Sequence, residues 1–154
     1  MRKRSCGILL YRRVRGELEV LLTHPGGPFW QRRDAGAWTL PKGEPDPAES
    51  DEACARREFR EELGADVEGT LTPLGEITQK GGKRVTAFAA QGEFDVEKLD
   101  SNPFEMEWPP RSGKMQTFPE VDRAEWMSID RARAKLLPAQ VELLDRLIER
   151  LAHP

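Results

Sequence analysis

The sequence predicts a single α/β domain whose mixed sheet is flanked by a few helices. Short apolar runs of strand length, bounded by Gly and Pro, lie before and after one central segment. That central segment and the C-terminal segment instead repeat apolar residues at helical spacing. A chain of 154 residues is long enough for one hydrophobic core and too short for two. We therefore expect one domain over residues 1–154.

The composition is typical of a globular protein, because apolar residues make up 38% of the chain and charged residues 33%. The 24 basic and 27 acidic residues nearly cancel, which disfavours a nucleic-acid polymer or a membrane surface as partner. No stretch approaches the roughly 18 apolar residues that span a bilayer. Cys6 and Cys54 lack metal-ligand spacing and are expected to be free thiols. We expect a cytoplasmic protein that is a monomer or a homodimer.

Three strands are predicted in the N-terminal third. Residues 5–11 and 18–23 are apolar runs separated by a turn at Gly16, the pattern of a hairpin. Residues 24–28 carry the Pro and Gly signals of a loop. A third strand is predicted over residues 37–40, and it leads into the Pro-Lys-Gly sequence that precedes the central helix.

The central helix is predicted to begin at Pro47 and to end at Gly64. Asp46 is suited to cap its first turn, where a proline costs no hydrogen bond. Glycine is the usual residue just after a helix. The buried face recurs at four-residue spacing through Ala55, Phe59 and Leu63.

The second half of the chain predicts three more strands and two helices. The strands are residues 71–78, 85–90 and 126–129, and the helices are residues 130–137 and 139–151. A Gly-rich hairpin turn is expected at residues 80–83. Residues 94–119 show no regular pattern and are rich in Pro and aromatic residues. A loop of this length is more often a functional lid than a passive connection, and the sequence leaves open whether residues 101–119 close over a substrate.

Three glutamates on the central helix carry the first chemical signal. Glu58, Glu61 and Glu62 stand at i, i+3 and i+4, so their carboxylates project from one face. Like charges at this spacing destabilise an isolated helix, and a divalent ion that prefers oxygen ligands would compensate them. Taken alone, the same charged run is also typical of a solvated helix face with internal ion pairs.

The spacing of residues before the three glutamates distinguishes between these two interpretations. Gly43, five residues, Glu49, seven residues and then the run REFREELGA from Arg57 resemble the Nudix box, with every invariant position filled. A chance match at a given start is on the order of one in 10⁸. Residues 38–43 resemble the strand that leads into the box, and residues 120–128 resemble a late metal-ligand loop and strand of MutT-type members. The resemblance covers roughly residues 5 to 137.

The resemblance implies an α/β/α sandwich around a mixed sheet and an enzyme that hydrolyses phosphoanhydrides. It implies Mg²⁺, with Mn²⁺ as a substitute, held by the carboxylates of Glu58, Glu61 and Glu62 and by the backbone carbonyl of Gly43. Glu58 and Glu61 would also orient or activate the attacking water. Glu49 and Arg57 would form the ion pair that fixes the preceding loop against the helix.

Glu120 is predicted as an extra metal ligand or base, and a simple rim carboxylate in a loop is the alternative. Lys42, Lys83 and Arg84 are predicted to contact a polyphosphate. The alternative for the two residues at the hairpin is a solvated turn. Trp30, in a Pro-rich loop, is predicted to stack on the substrate because aromatic residues in such loops have little core to fill.

The predicted substrate is a small-molecule phosphoanhydride, specifically a nucleoside di- or triphosphate derivative that releases a nucleoside monophosphate. A dinucleoside polyphosphate or a diphosphoinositol phosphate is the alternative within the enzyme class. A catalytically silent nucleotide-binding regulatory module is the alternative from another class. Such modules typically lose a box glutamate, whereas this chain retains each one.

Overall fold

A computed structural model, which describes residues 3–154, contains a six-stranded sheet, a separate two-stranded sheet and three α-helices. The strands are β1 (Arg4–Val14), β2 (Glu17–Pro25), β3 (Lys42–Gly43), β4 (Thr72–Thr78), β5 (Arg84–Gln91), β6 (Pro103–Glu107), β7 (Met115–Pro119) and β8 (Val121–Ser128). The helices are α1 (Asp51–Leu63), α2 (Ile129–Lys135) and α3 (Glu142–Ala152).

The larger sheet is mixed, with strand order β4-β5-β1-β2-β8 and with β3 paired to β1. β1 pairs in parallel with β5 and antiparallel with β2. The β1–β2 hairpin closes at Arg15 and Gly16, which both have positive φ, 53° and 82°. Those angles match the two-residue turn that fits the right-handed twist of a hairpin.

Two apolar layers flank this sheet because alternate residues of its central strands point to opposite faces. Leu9 and Val20 belong to the layer that contains Leu144 of α3. Ile8 belongs to the layer that contains Phe59 of α1. The predicted α/β/α sandwich around a mixed sheet is therefore confirmed. No helix within residues 3–154 is long and apolar enough to cross a membrane.

The predicted strand over residues 37–40 is wrong. Trp38 and Thr39 form only isolated bridges, and they do so with different neighbours, Leu136 and Thr23. The next paired segment is β3, where Lys42 lies opposite Gly7 of β1. Because residues 38–43 change pairing partner twice, no single strand runs through them. The chain is instead held by separate contacts with different neighbours before it reaches the central helix.

The helix begins later than predicted. Ser50, not Asp46, is the N-cap, and its hydroxyl oxygen accepts a hydrogen bond from the Ala53 amide at 3.1 Å. Pro47 instead lies in a turn that precedes the helix. The predicted end is confirmed, because Gly64 adopts φ 82° and donates its amide to the preceding turn.

Residues 94–119 are not irregular throughout, as predicted, because they include the β6–β7 hairpin. Phe104 lies opposite Phe118, and their ring centroids are 6.0 Å apart. Prolines at both ends of this hairpin and in its turn argue against a strand, and in β7 only Phe118 is half-buried. The last strand, β8, is also longer than the predicted residues 126–129. The two C-terminal helices are confirmed, with ends shifted by a few residues.

Candidate active site

Gly43 and Glu58 define the centre of the site. Glu58 is only 9% exposed, and its carboxylate rests against the α-carbon of Gly43. A β-carbon at position 43 would lie 2.0 Å from that carboxylate, so only glycine permits the approach. The Cys54 thiol, one helical turn earlier, donates to the Gly43 carbonyl at 3.4 Å. These contacts hold the short strand β3 against helix α1.

Arg57 is the hub of the ion pairs on α1. Its Nε and Nη2 atoms donate to the two carboxylate oxygens of Glu49, each at 2.8 Å. Its Nη1 atom donates to Glu58 at 2.8 Å and to Glu61 at 3.1 Å. Nη2 also donates to the backbone carbonyl of Glu44 at 3.0 Å. One guanidinium thus binds the preceding loop and orients two carboxylates of the helix.

The Glu49 carboxylate has two kinds of partner. Besides Arg57, the backbone amide of Asp46 donates to it at 2.9 Å. The Arg57 hydrogen bonds, followed by this amide, lower the pKa of Glu49 to about 2. The same pair raises the pKa of Arg57. The structure therefore forms the loop-to-helix ion pair that the resemblance implies.

The remaining carboxylates are crowded and partly removed from water. Burial, reinforced by the charges of Glu58 and Glu120 and opposed by that of Lys42, raises the pKa of Glu62 to about 8. Burial also raises the pKa of Glu58, and Arg57 opposes this effect. The pKa of Glu120 is raised by burial and by the charge of Glu61. A further positive charge nearby would stabilise the ionised form of each of these carboxylates.

These residues fit a divalent cation in donor type and in charge, because a carbonyl and several crowded carboxylates are oxygen donors that hard cations prefer. Within the described residues, no three Asp, Glu, His or Cys side chains already converge as a preformed metal cage. Arg57 Nη1 lies between Glu58 and Glu61 and takes part of the role of counter-charge.

A cleft of about 640 Å³ lies beside this cluster. Two acids of the cluster, Glu62 and Glu120, open into it. Its other lining residues are Thr23, Pro25, Trp30, Ala37, Thr39, Lys42, Gln79, Lys80, Lys83, Val121, Leu137, Pro138 and Ala139. The cleft thus combines an acidic margin, several lysines and an apolar wall, a combination suited to an anionic ligand with an apolar part.

The predicted substrate-binding residues separate into two groups. Trp30, Lys42 and Lys83 line the cleft. Arg84 does not line it and instead pairs with Glu76 of the neighbouring strand at 3.7 Å. The prediction for Arg84 is not supported, because consecutive residues at a strand start point in opposite directions.

The buried polar residues Gln140 and His24 at the site were not predicted from the sequence, nor was Thr23, which lines the cleft. Gln140 is fully buried beside the cleft, and its only sequence signal is an amide between apolar residues near a helix start. His24 is also fully buried, with ring nitrogens 2.8 Å from Asp122 Oδ1 and 2.6 Å from the Arg33 carbonyl oxygen. His24 thereby ties the loop that carries Trp30 to strand β8.

Comparison with known proteins places this geometry in a family. The model of the NUDIX domain family matches residues 1–148. A C. elegans Ap4A hydrolase is similar, with 24% identity, a TM-score of 0.67, and coverage of 96% of this chain and 98% of that chain. The NUDIX domain of Shewanella oneidensis NrtR, complexed with ADP ribose, is 19% identical, with a TM-score of 0.68 and coverage of 98% and 89%. A Nudix hydrolase from M. smegmatis, RenU, is 25% identical, with a TM-score of 0.61 and coverage of 99% and 88%.

Proposed function

This chain belongs to the Nudix family and is a pyrophosphohydrolase of that family, and from that premise we propose that it hydrolyses the diphosphate bond of a nucleoside di- or triphosphate derivative and releases a nucleoside monophosphate. The family generally uses divalent metal cations. We propose Mg²⁺ for this chain, with Mn²⁺ as a substitute, because carboxylate, carbonyl and phosphate oxygens are the ligands both prefer.

One observation carries this proposal. The crowded acids of the site meet a lysine-lined cleft, because Glu62 of α1 and Glu120, between β7 and β8, lie on its margin together with Lys42 and Lys83. If the acids of α1 served only as a solvated surface, burial of the Glu58 carboxylate against Gly43 of β3 would be unexpected. The raised pKa of Glu62 would be unexpected for the same reason. Both features are expected where anionic substrate and cation meet.

The proposed metal ligands are the carboxylates of Glu58, Glu61 and Glu62 and the carbonyl of Gly43, with Glu120 as a further oxygen donor or base. When bound there, a divalent cation supplies neutralisation of phosphate charge and a lower pKa for the attacking water. Glu58 and Glu61 are the groups proposed to orient that water. Arg57 and Glu49 position them, since the Arg57 guanidinium bonds to both carboxylates at 2.8 and 3.1 Å.

The reaction balances as a hydrolysis. The water oxygen forms a bond to one phosphorus, the bond from that phosphorus to the bridging oxygen breaks, and the bridging oxygen leaves with the second phosphate. The proton of the water passes through the carboxylate cluster to solvent. Lys42 and Lys83 attract the polyphosphate, and Trp30 offers a ring face to an apolar group.

A dinucleoside polyphosphate is the second candidate substrate. The cleft of about 640 Å³ is open and carries lysines beyond those next to the acids, such as Lys80. A long phosphate chain would use these charges. The fold similarity to the C. elegans Ap4A hydrolase is consistent with this candidate. No feature of the cleft favours a diphosphoinositol phosphate, and the retained glutamates argue against a silent regulatory module.

We also propose that the protein acts in the cytoplasm, as a monomer or a homodimer, on a small molecule and not on a nucleic-acid polymer. The near balance of 24 basic and 27 acidic residues supports the last point. Cys6 and Cys54 are free and buried, which fits a reducing compartment.

A substrate panel tests the proposed function. Nucleoside triphosphates, nucleoside diphosphate derivatives, dinucleoside polyphosphates and a diphosphoinositol phosphate are incubated with Mg²⁺ or with chelator, and the products are identified by chromatography. The proposal requires a nucleoside monophosphate as a product and its loss in chelator. Turnover of the inositol compound alone, or tight nucleotide binding without turnover, would refute it.

A further inference from the structure

A buried amide network lies behind the wall of the cleft. Gln140, fully buried, accepts a hydrogen bond through Oε1 from the backbone amide of Leu40 at 3.0 Å. Its Nε2 atom donates to Thr39 Oγ1 at 2.9 Å and to Gln79 Oε1 at 2.8 Å. Thr39 and Gln79 both line the cleft, whereas Gln140 does not.

The polarity of this network follows from its first bond. A backbone amide can only donate, so the Gln140 atom that faces Leu40 must be the carbonyl oxygen. The Gln140 amino group therefore faces Gln79 and donates a hydrogen bond to it. Gln79 accepts this hydrogen bond through its side-chain oxygen, so its own amino group points away from the network.

The Gln79 amino group is available to a ligand. It has no hydrogen-bond partner among residues 3–154. Because no buried side-chain nitrogen or oxygen in these residues lacks a partner, the Gln79 amino group must be exposed to solvent. Its backbone is held at both polar atoms, because the Gln79 amide donates to Lys83 at 2.6 Å and its carbonyl accepts from Gly82 at 3.0 Å. A fixed backbone and a fixed oxygen together leave the amino group in one orientation.

The neighbouring hydroxyl groups offer no competing donors. Thr23 donates its hydroxyl to the Thr39 carbonyl at 2.9 Å, and Thr39 donates its hydroxyl to the Leu40 carbonyl at 2.8 Å. The adjoining wall is apolar and includes Leu137 and Pro138. A flat apolar group against this wall would therefore meet the Gln79 amino group as a directional donor.

We propose that Gln79 is a specificity-determining residue that selects nucleobases with a carbonyl oxygen at their edge over bases with an amino group there, and that Gln140 is the positioning residue that fixes this choice. The inference rests on the proposed function and names its substrate class more narrowly. A free glutamine rotates to serve either an acceptor or a donor. Gln79 cannot rotate without losing its bond to Gln140, so it presents a donor alone.

Two matched pairs of nucleotides isolate this effect. Inosine and adenosine triphosphates differ at the purine edge in one oxygen against one amino group, and uridine and cytidine triphosphates differ likewise at the pyrimidine edge. A hydrogen bond that distinguishes the two base edges should give the preferred member of a pair a kcat/KM about tenfold higher. The charge on the phosphates is the same within each pair.

The experiment measures kcat/KM with Mg²⁺ for both pairs in the unchanged protein, Gln79→Glu, Gln79→Met and Gln140→Met. The unchanged protein should favour inosine in the purine pair and uridine in the pyrimidine pair, or at least one of these. Gln79→Glu, which offers an acceptor to the cleft, should invert that ratio, and Gln79→Met should bring it close to one. Gln140→Met should also bring it close to one, because Gln79 is then free to rotate.

A role in folding alone would lower the melting temperature and all four rates together while leaving the ratios unchanged. That result, or equal rates within both pairs in the unchanged protein, overturns the inference. If turnover still depends on the metal, the proposed function is unaffected. If no nucleotide is hydrolysed, equilibrium binding of the same four triphosphates is measured. Absence of binding, or binding without the base preference, overturns the inference, whereas the proposed function is decided by the substrate panel.

Discussion

Arg57 binds Glu49 through two parallel hydrogen bonds of 2.8 Å, from Nε to Oε2 and from Nη2 to Oε1. This pair joins the loop before α1 to the face of the helix that carries Glu58 and Glu61. The loop begins at Glu44, directly after Gly43 of β3, and the Glu44 carbonyl accepts from Arg57 at 3.0 Å. The ion pair therefore sets where β3 meets the helix.

Glu49→Gln is expected to change stability at acid pH. The pKa of Glu49 is lowered to about 2 in the folded protein, against about 4.3 in an unfolded chain. A lowered folded-state pKa stabilises the fold above the unfolded value and loses that effect as pH falls toward 2. Urea unfolding between pH 2 and 6 should show a shallower acid decline in Glu49→Gln than in the unchanged protein. Exposed Glu68→Gln is the control, and an equal decline in both variants would contradict the argument.

Glu62→Gln is expected to stabilise the metal-free protein at alkaline pH. The pKa of Glu62 is raised to about 8, so the folded state keeps a proton that the unfolded chain has lost near pH 4.3. Stability from this group is present below the unfolded pKa and is lost as pH rises through 8. In chelator at pH 8.5, Glu62→Gln should melt about 2–6 °C higher than the unchanged protein. Adding Mg²⁺ should reverse the order, and a variant that melts lower in chelator would exclude this role of Glu62.

Gly43→Ala is expected to disrupt the site. The new β-carbon would lie 2.0 Å from the Glu58 carboxylate, so that carboxylate must move away from its present position. Hydrolysis should fall at least about 100-fold, because a shift near 1 Å disturbs reacting groups strongly. Glu44→Ala, at the exposed neighbouring position, should keep its rate. A fully active Gly43→Ala protein would show that the close approach is dispensable.

Lys83 and Arg84 are adjacent cations that should behave differently. Lys83 lines the cleft, whereas Arg84 lies outside it and pairs with Glu76. Lys83→Ala should raise KM about three- to tenfold and weaken its dependence on salt, as expected for a partly screened charge that attracts a phosphate. Arg84→Ala should leave KM within about twofold. Equal effects of the two substitutions would contradict the proposal that the polyphosphate contacts Lys83 and not Arg84.

The helix and its acids could be predicted from the sequence because their information is local. Spacing alone puts Glu58, Glu61 and Glu62 on one face, and Gly64 ends the helix as a glycine should. The N-cap was missed because Pro47 and Asp46 form an equally plausible start, and only the structure shows Ser50 in that role. Local signals therefore specify what the helix presents more reliably than where it begins.

The cleft wall could not be predicted, because residues distant in sequence build it. Gln79, Thr39 and Gln140 meet only when the β4–β5 turn, the segment before β3 and the turn that precedes α3 pack together. The β6–β7 hairpin was missed for a different reason, since its prolines argue against a strand. Arg84 was assigned by proximity in sequence to Lys83, which the alternation of a strand does not respect.

Glu61→Gln, compared with Glu52→Gln, tests the central claim most directly. Both glutamates lie on α1, but Glu61 contacts Arg57 in the acid cluster, whereas Glu52 is exposed in the first turn. Hydrolysis of the preferred nucleotide is followed while Mg²⁺ is titrated. We expect Glu61→Gln to lower kcat at least about 100-fold and to require more Mg²⁺, with Glu52→Gln unchanged. Metal-dependent hydrolysis at the full rate in Glu61→Gln would contradict the claim that the acids of α1 carry the reaction.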